Sequence, residues 1–312
     1  MVGLVSKANE DRVVLAIGMM LVAYLGFSGI DTSAKWLGAI GLPALQIAFM
    51  RYFVHFVIST GLIAKDGVDI DRFRSEHFGL VVLRAAFLAA STTANFVAVR
   101  YLPLTLTATI MFSSPIIICA LSGPILGERV GPWRWGAILL GFVGVIVAIR
   151  PFEADFHWAV FLALIAALSI ALYTLLTRKL AGSVHHETMQ FYSGLVGTLC
   201  LAPFAVYFWE MPETWFSTML LVATGIFGWF GHELLTRAHG YAVASALTPF
   251  TYVFIIYLTI ASILVFDEWP GPWTVAGAAI VAGAGLIIWF RERRLERKRR
   301  KTAPSATNAG VR

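Results

Sequence analysis

This sequence is short of charge. Only 13% of its 312 residues are Asp, Glu, Lys or Arg, while 58% are hydrophobic. Soluble domains carry about 25% charged and about 45–50% apolar residues. A soluble chain this poor in charge would lack the polar surface to cover itself, so lipid is the expected solvent for most of it. Cysteine is nearly missing: Cys119 and Cys200 both fall inside apolar runs, which excludes a disulfide framework. No Walker A sequence occurs, so ATP is not the direct driver. Metal-ligand spacing is missing too. His232-Glu233-Leu234-Leu235-Thr236 starts like H-E-x-x-H, but Thr236 holds the second ligand position and His239 falls on another face. His185-His186-Glu187 reads as a solvated loop cluster. The chain is therefore read as no enzyme, with no cofactor and no metal. A cleavable leader is also not recognisable. Residues 1–12 are polar and end in Asp11 and Arg12, and the next apolar run has no small-residue cleavage site.

What is present is a series of apolar runs. A membrane-spanning helix needs about 20 apolar residues, and ten runs qualify. They are Val13–Ile30, Pro43–Ala64, Phe78–Val99, Pro103–Leu126 and Trp133–Ile149, then Trp158–Leu176, Met189–Phe208, Trp215–Leu235, Ala242–Phe266 and Trp273–Phe290. Barrel strands would alternate in and out over about ten residues, and these runs do not. The connections carry Gly41-Leu42-Pro43, Gly131-Pro132, Arg150-Pro151 and Gly271-Pro272. With both termini in the cytoplasm, the inner side holds Lys65, Arg72, Arg74, Arg129, Arg134, Arg178, Lys179, Arg237 and the basic run Arg291–Lys301. The outer side holds only Lys35, Arg100 and Arg150, as the positive-inside rule requires. The basic run reads as a topology anchor at anionic headgroups and not as a nucleic-acid site. The expected division is a cytoplasmic N-terminus at 1–12, repeats at 13–150 and 151–290, and a basic, disordered cytoplasmic tail at 291–312.

The chain repeats itself. Tyr101, Glu128 and Gly131-Pro132-Trp133 recur 140 positions on as Tyr241, Glu268 and Gly271-Pro272-Trp273. The first helix of each half ends alike, in Ala34-Lys35-Trp36-Leu37 and Thr177-Arg178-Lys179-Leu180. Five spans per half is an odd number, so the halves insert with opposite orientation. Inverted repeats of this kind place a transport site near the midplane between the halves.

The motifs are also those of a family. Tyr101-Leu102-Pro103-Leu104, Phe112-Ser113-Ser114-Pro115 and Leu126-Gly127-Glu128-Arg129-Val130 resemble the first EamA-type repeat of the drug/metabolite transporter superfamily. Asp31-Thr32-Ser33-Ala34-Lys35 resembles the end of that family's first helix. His239-Gly240-Tyr241-Ala242 and Asp267-Glu268 resemble the second repeat, with Val243 where the first half has Pro103. The resemblance spans nearly the whole chain. It implies an all-α membrane protein of ten helices in two inverted five-helix repeats. It also implies transport of a small metabolite such as an amino acid, S-adenosylmethionine or riboflavin across a bacterial inner membrane. A structural or interaction protein of the membrane is the alternative.

A charge at mid-helix costs about 2.5–3.5 kcal/mol on insertion scales and turns to the protein interior. Arg51, with His55 one turn on, and Arg84 are the strongest candidates, for an anionic group on the substrate or for pairing with Asp31 or Glu233. Asp31 is a substrate candidate or the i,i+4 partner of Lys35, with Lys35 reaching outward. His232 and Glu233 are candidate proton carriers, and Trp229 and Tyr252 candidate stacking rings. Pro115 and Pro249 should break the fourth and ninth helices, with Ser113, Ser114, Thr248 and Thr251 beside them to satisfy freed backbone or ligand. Gly141, Gly144, Gly277, Gly283 and Gly285 mark the fifth and tenth helices as close-packed, through scaffold or homodimer contacts. The expected partners are thus a small-molecule substrate, the lipid bilayer and, along those glycines, a second copy.

Overall fold

The computed structural model describes residues 2–66, 77–127, 131–151, 156–180, 183–241 and 247–302. In lipid every backbone polar group must be satisfied within the chain, and a helix does so locally. The apolar runs accordingly become α1 (Val2–Ala39), α2 (Ala44–Asp66), α3 (Phe78–Tyr101), α4 (Leu104–Met111), α5 (Ser114–Leu126) and α6 (Pro132–Ile149). The second half supplies α7 (Ala159–Leu180), α8 (His186–Tyr207), α9 (Trp215–Tyr241), a 3-10 turn (Thr248–Tyr252), α10 (Val253–Phe266) and α11 (Pro272–Thr302). No strand occurs among the described residues. Among the described residues eight segments are long and apolar enough to cross a bilayer, one of them the joined α4–α5, and the shorter apolar helices Trp135–Ile149 and Phe250–Phe266 complete ten. The protein is an all-α integral membrane protein.

Two sequence expectations change, and a third is located more closely. The first span runs to Ala39, beyond the expected end at Ile30, and Arg12–Ala39 is apolar enough to cross. The polar residues that ended the apolar run have partners inside the protein: Thr32 donates to the Ser28 carbonyl at 2.7 Å, and Lys35 is 7% exposed. The fourth span is two helices. It breaks at Phe112-Ser113, just ahead of Pro115 in the first turn of α5, where a missing N–H costs nothing. Ser113 Oγ is buried without a partner, so it does not mend the break. The basic segment expected to be disordered from 291 instead continues α11 as helix to Thr302. Residues 303–312 lie outside the described residues, as do Arg72, Arg74, Glu128, Arg129 and 242–246. Pro249 stands in the 3-10 turn that leads into α10, so both proline breaks fall in matching spans.

Symmetry between the halves is visible in the backbone. α5 ends at Gly127 (φ 73°) and α10 at Asp267 (φ 54°), 140 positions apart and both left-handed. Gly takes that conformation freely, whereas Asp takes it with strain. It shows in the packing too. α1 lies against α9, and its symmetry mate is α3 against α7. α2 on α9 and α3 on α8 exchange in the same way, as do α1 on α10 and α5 on α7. The pairs α2·α8, α4·α10 and α6·α11 map onto themselves. The strongest contacts between the halves thus obey one two-fold relation, and the central seam is made by α1–α3 against α7–α9.

Small residues set the helix spacing. A Cβ on Gly277 would meet the Gly144 carbonyl at 2.5 Å and the Ala148 nitrogen at 2.7 Å, so α6 and α11 touch backbone to backbone. Gly141 faces Ile116, and Gly285 faces the Tyr252 hydroxyl, while Gly283 meets nothing. The expected scaffold contact is therefore internal to one chain. On the seam, Gly225, Gly228 and Gly231 of α9 form a second stripe, facing Val54, Arg51 and Phe27.

Candidate functional site

The seam is where the polar residues gather. Arg84 on α3 is 1% exposed. Its Nε donates to Thr177 Oγ1 at 2.6 Å, and its Nη1 to the Met189 carbonyl at 3.1 Å and Ser193 Oγ at 3.0 Å. Its Nη2 donates to the Tyr173 hydroxyl at 2.7 Å. All four acceptors are neutral, and all belong to α7 and α8. Arg84 therefore ties the first half to the second through the planar fork of a guanidinium. The expected pairing with Asp31 or Glu233 does not form.

Arg51 on α2 is half-buried and held on one side only. Its Nη1 donates to Thr92 Oγ1 and, at 3.4 Å, to the Tyr52 hydroxyl. Tyr52 in turn bonds Thr92 Oγ1 at 2.6 Å and donates to the Leu88 carbonyl at 2.8 Å. Gly228 leaves room for the guanidinium, since a Cβ there would lie 3.3 Å from Arg51 Nε. Asp31, half-buried on α1, accepts from Asn95 Nδ2 at 3.1 Å and lies within electrostatic reach of Arg51. The centre of the bundle thus holds two guanidiniums and one carboxylate.

Beside these lie His55 and His232, with ring centroids 6.5 Å apart. His232 is flanked by Phe27 at 5.1 Å and Tyr173 at 6.4 Å. The Nε2 atoms of both histidines, and both polar atoms of the Gln190 amide, are buried without a hydrogen-bond partner. His55 and Gln190 are 3% and 4% exposed.

A sequence model of the EamA-like transporter family matches this chain twice, over residues 14–150 and 157–290. The chain belongs to the EamA-like transporter family. It is similar to the S-adenosylmethionine uptake transporter of Rickettsia bellii, 27% identical over 91% of this chain and 97% of that one. It is similar also to the riboflavin transporter of Rhizobium johnstonii, 29% identical over 93% of this chain and 96% of that one. The pseudopaline exporter of Pseudomonas aeruginosa is 25% identical over 86% of this chain and 94% of that one. A solved crystal structure shares the fold with a TM-score of 0.62 at 18% identity, covering 91% of this chain and 99% of that one. The protein is a membrane transporter of small molecules and not an enzyme.

Away from the centre, an ion pair joins the two halves of the transporter. Lys35 Nζ lies 2.5 Å from Glu268 Oε2 and 2.6 Å from Oε1, and donates to the Leu102 carbonyl at 3.1 Å. Lys35 therefore neither reaches out to solvent nor pairs with Asp31. Glu268 is one of the repeated residues, just past the left-handed end of α10. At the opposite end, Glu233 accepts from Arg237 Nε at 2.7 Å and lies 3.9 Å from His186 Nε2. His186 opens α8 and contacts α9, so it does not belong to a solvated loop.

The candidate rings separate. Tyr252 packs on Phe112, with centroids 5.1 Å apart, and against Gly285, so it belongs to the α5–α10–α11 scaffold. Trp229 is half-buried on α9, and the rings flanking His232 are Phe27 and Tyr173. The sequence reading passed over Gln190, Asn95, Thr92, Tyr173 and Ser193 because it searched the apolar runs for charge. The amides of Gln190 and Asn95 were the available signal, since an amide buried in an apolar environment without a partner costs roughly 2–7 kcal/mol.

Proposed function

We propose that this transporter carries a small metabolite bearing an anionic group across the inner membrane by alternating access. Of the classes in view, amino acids and S-adenosylmethionine carry a carboxylate, while riboflavin is neutral. The carrying observation is the charge balance of the seam, where, among the described residues, two guanidiniums, Arg51 and Arg84, stand against the one carboxylate of Asp31, which lies within electrostatic reach of Arg51. Arg84 is saturated by neutral acceptors and orients α7 and α8. Arg51 has its Nε and Nη2 edge to offer, so it is the anchor for a carboxylate or phosphate, with Asp31 taking a cationic group of a zwitterion. The two-fold relation between halves supplies two near-equivalent packings, one open to each side. With both termini cytoplasmic, Lys35 and Glu268 close the outer end, and the breaks at Pro115 and Pro249 let the fourth and ninth spans bend between the two packings.

Uptake and export of a metabolite panel by reconstituted liposomes tests this. Arg51→Gln should raise KM for anionic substrates at least tenfold with protein yield unchanged. Unchanged kinetics in Arg51→Gln and Arg84→Gln alike would refute an anionic preference. For orientation, a cysteine at Ala303 should react with an impermeant maleimide only after the membrane is opened, and labelling in intact cells would reverse the assignment.

A further inference from the structure

Buried polar atoms without partners are rare in native proteins, and each one asks for a missing partner. Among the described residues eight side-chain atoms are in this state. Four of them, His55 Nε2, His232 Nε2 and both ends of the Gln190 amide, belong to one patch at the seam. Gln190 sits on the turn of α8 that Arg84 grips through Met189 and Ser193. The His55 ring bonds the Gln190 backbone, and His232 lies across from it on α9. Three helices, two from one half and one from the other, thus bring unsatisfied neutral groups into one neighbourhood, with the Phe27 and Tyr173 rings beside His232.

The kind of groups present selects the ligand. A carboxylate or phosphate wants cations or several N–H donors, and Arg51 already supplies those. An isolated hydroxyl needs one partner. A primary carboxamide offers a donor and an acceptor side by side in one plane. It is matched in both atoms by a planar ring edge that also sets a donor beside an acceptor, as in a cyclic imide or an aminopyrimidine. Asn and Gln read adenine through such a pair of bonds. Each imidazole Nε2 adds one further donor or acceptor around the edge, and aromatic side chains stack readily on flat heterocycles.

We infer that Gln190, His55 and His232 form a subsite that reads the edge of a planar nitrogen heterocycle, with Phe27 and Tyr173 against its face, so that the transported metabolite carries such a ring. This rests on the transport reading and narrows it, because aliphatic amino acids and simple sugar phosphates leave the patch unsatisfied.

The test is equilibrium binding to the purified full chain in lipid nanodiscs. The probes are riboflavin, with an imide edge; S-adenosylmethionine, with an aminopyrimidine edge; and methionine, with no ring. At least one ring probe should bind and methionine should not displace it. If riboflavin is the one bound, its N3-methylated form, which has lost the edge donor, should bind about ten- to a hundredfold more weakly. Gln190→Met keeps the length and apolar fit of the side chain. It should bring the ring probe down by a similar factor and abolish discrimination against the methylated form, while raising thermal stability by removing two unsatisfied atoms. His232→Phe is the second variant, and should weaken ring binding with less effect on the methyl discrimination. Failure of both ring probes to bind, or ring affinity and discrimination unchanged in Gln190→Met, overturns the inference. Transport of an aliphatic substrate with normal kinetics in Gln190→Met would overturn it and leave the transport reading standing. Ring binding that Gln190→Met weakens, in a protein that moves none of the probes across liposomes, would do the reverse.

Discussion

Replacing Glu268 by Gln would leave a buried lysine without its counter-charge. The Lys35 side chain is 9% exposed and that of Glu268 34%. Three contacts hold the ammonium now, two to the Glu268 carboxylate and one to the Leu102 carbonyl, with the Phe266 ring 5.0 Å away. Removing one partner of a fully buried pair costs about 3–5 kcal/mol, and an exposed pair is worth about 0–1 kcal/mol. With one partner buried and the other a third exposed, and a Gln oxygen still able to accept, the expected cost is about 2 kcal/mol. The loss falls on the conformation in which the two halves meet at this end, because in the other conformation water can solvate Lys35. The equilibrium should shift toward opening by about thirtyfold. A cysteine at Leu102, 4% exposed beside the pair, reports the shift in a background with Cys119 and Cys200 replaced by Ser. Its reaction with an impermeant maleimide should speed up at least tenfold in Glu268→Gln. The double replacement Lys35→Met with Glu268→Met should return the rate toward the parent's, since a neutral apolar pair restores closure. Equal rates in the parent and in Glu268→Gln would refute the reasoning.

Arg84→Gln removes charged hydrogen bonds to four acceptors and should cost about 3 kcal/mol of stability, read as a lower thermal transition in detergent. Arg51→Gln, with its guanidinium bonded on one side only, should change stability by less than 1 kcal/mol, roughly, while weakening anionic substrates. Glu233→Gln should abolish concentration of substrate against a pH gradient and spare counterflow exchange if Glu233 carries the coupled proton. Accumulation equal to the parent's would exclude that role, and loss of both activities would make the contact with Arg237 and His186 structural. Gly277→Val should separate α6 from α11 at a cost of about 1–3 kcal/mol, seen as lower thermal stability, whereas Gly283→Val, facing open space, should change it little.

The count of spans, the odd-numbered repeat and the family motifs were legible in the sequence because each rests on local composition: an apolar run must become a helix in lipid, and five spans per half must invert. The same locality misled where a residue's partner lies far along the chain. Asp31 and Lys35, four apart, read as a pair on one helix, but Lys35 bonds a residue 233 positions away and Asp31 is taken by Asn95. Arg84 looked like a substrate anchor or half of an ion pair, yet Thr177, Tyr173, Met189 and Ser193 occupy its donors. Tyr252 looked like a binding ring and is scaffold. Gln190 drew no notice in its own helix, since an amide becomes conspicuous only when packing removes every other partner. Composition thus determined what solvent each segment faces. The meeting of α1–α3 with α7–α9 decided which polar atoms answer one another and which are left facing the seam, because hydrogen bonds are settled within about 3 Å and only the assembled bundle sets those distances.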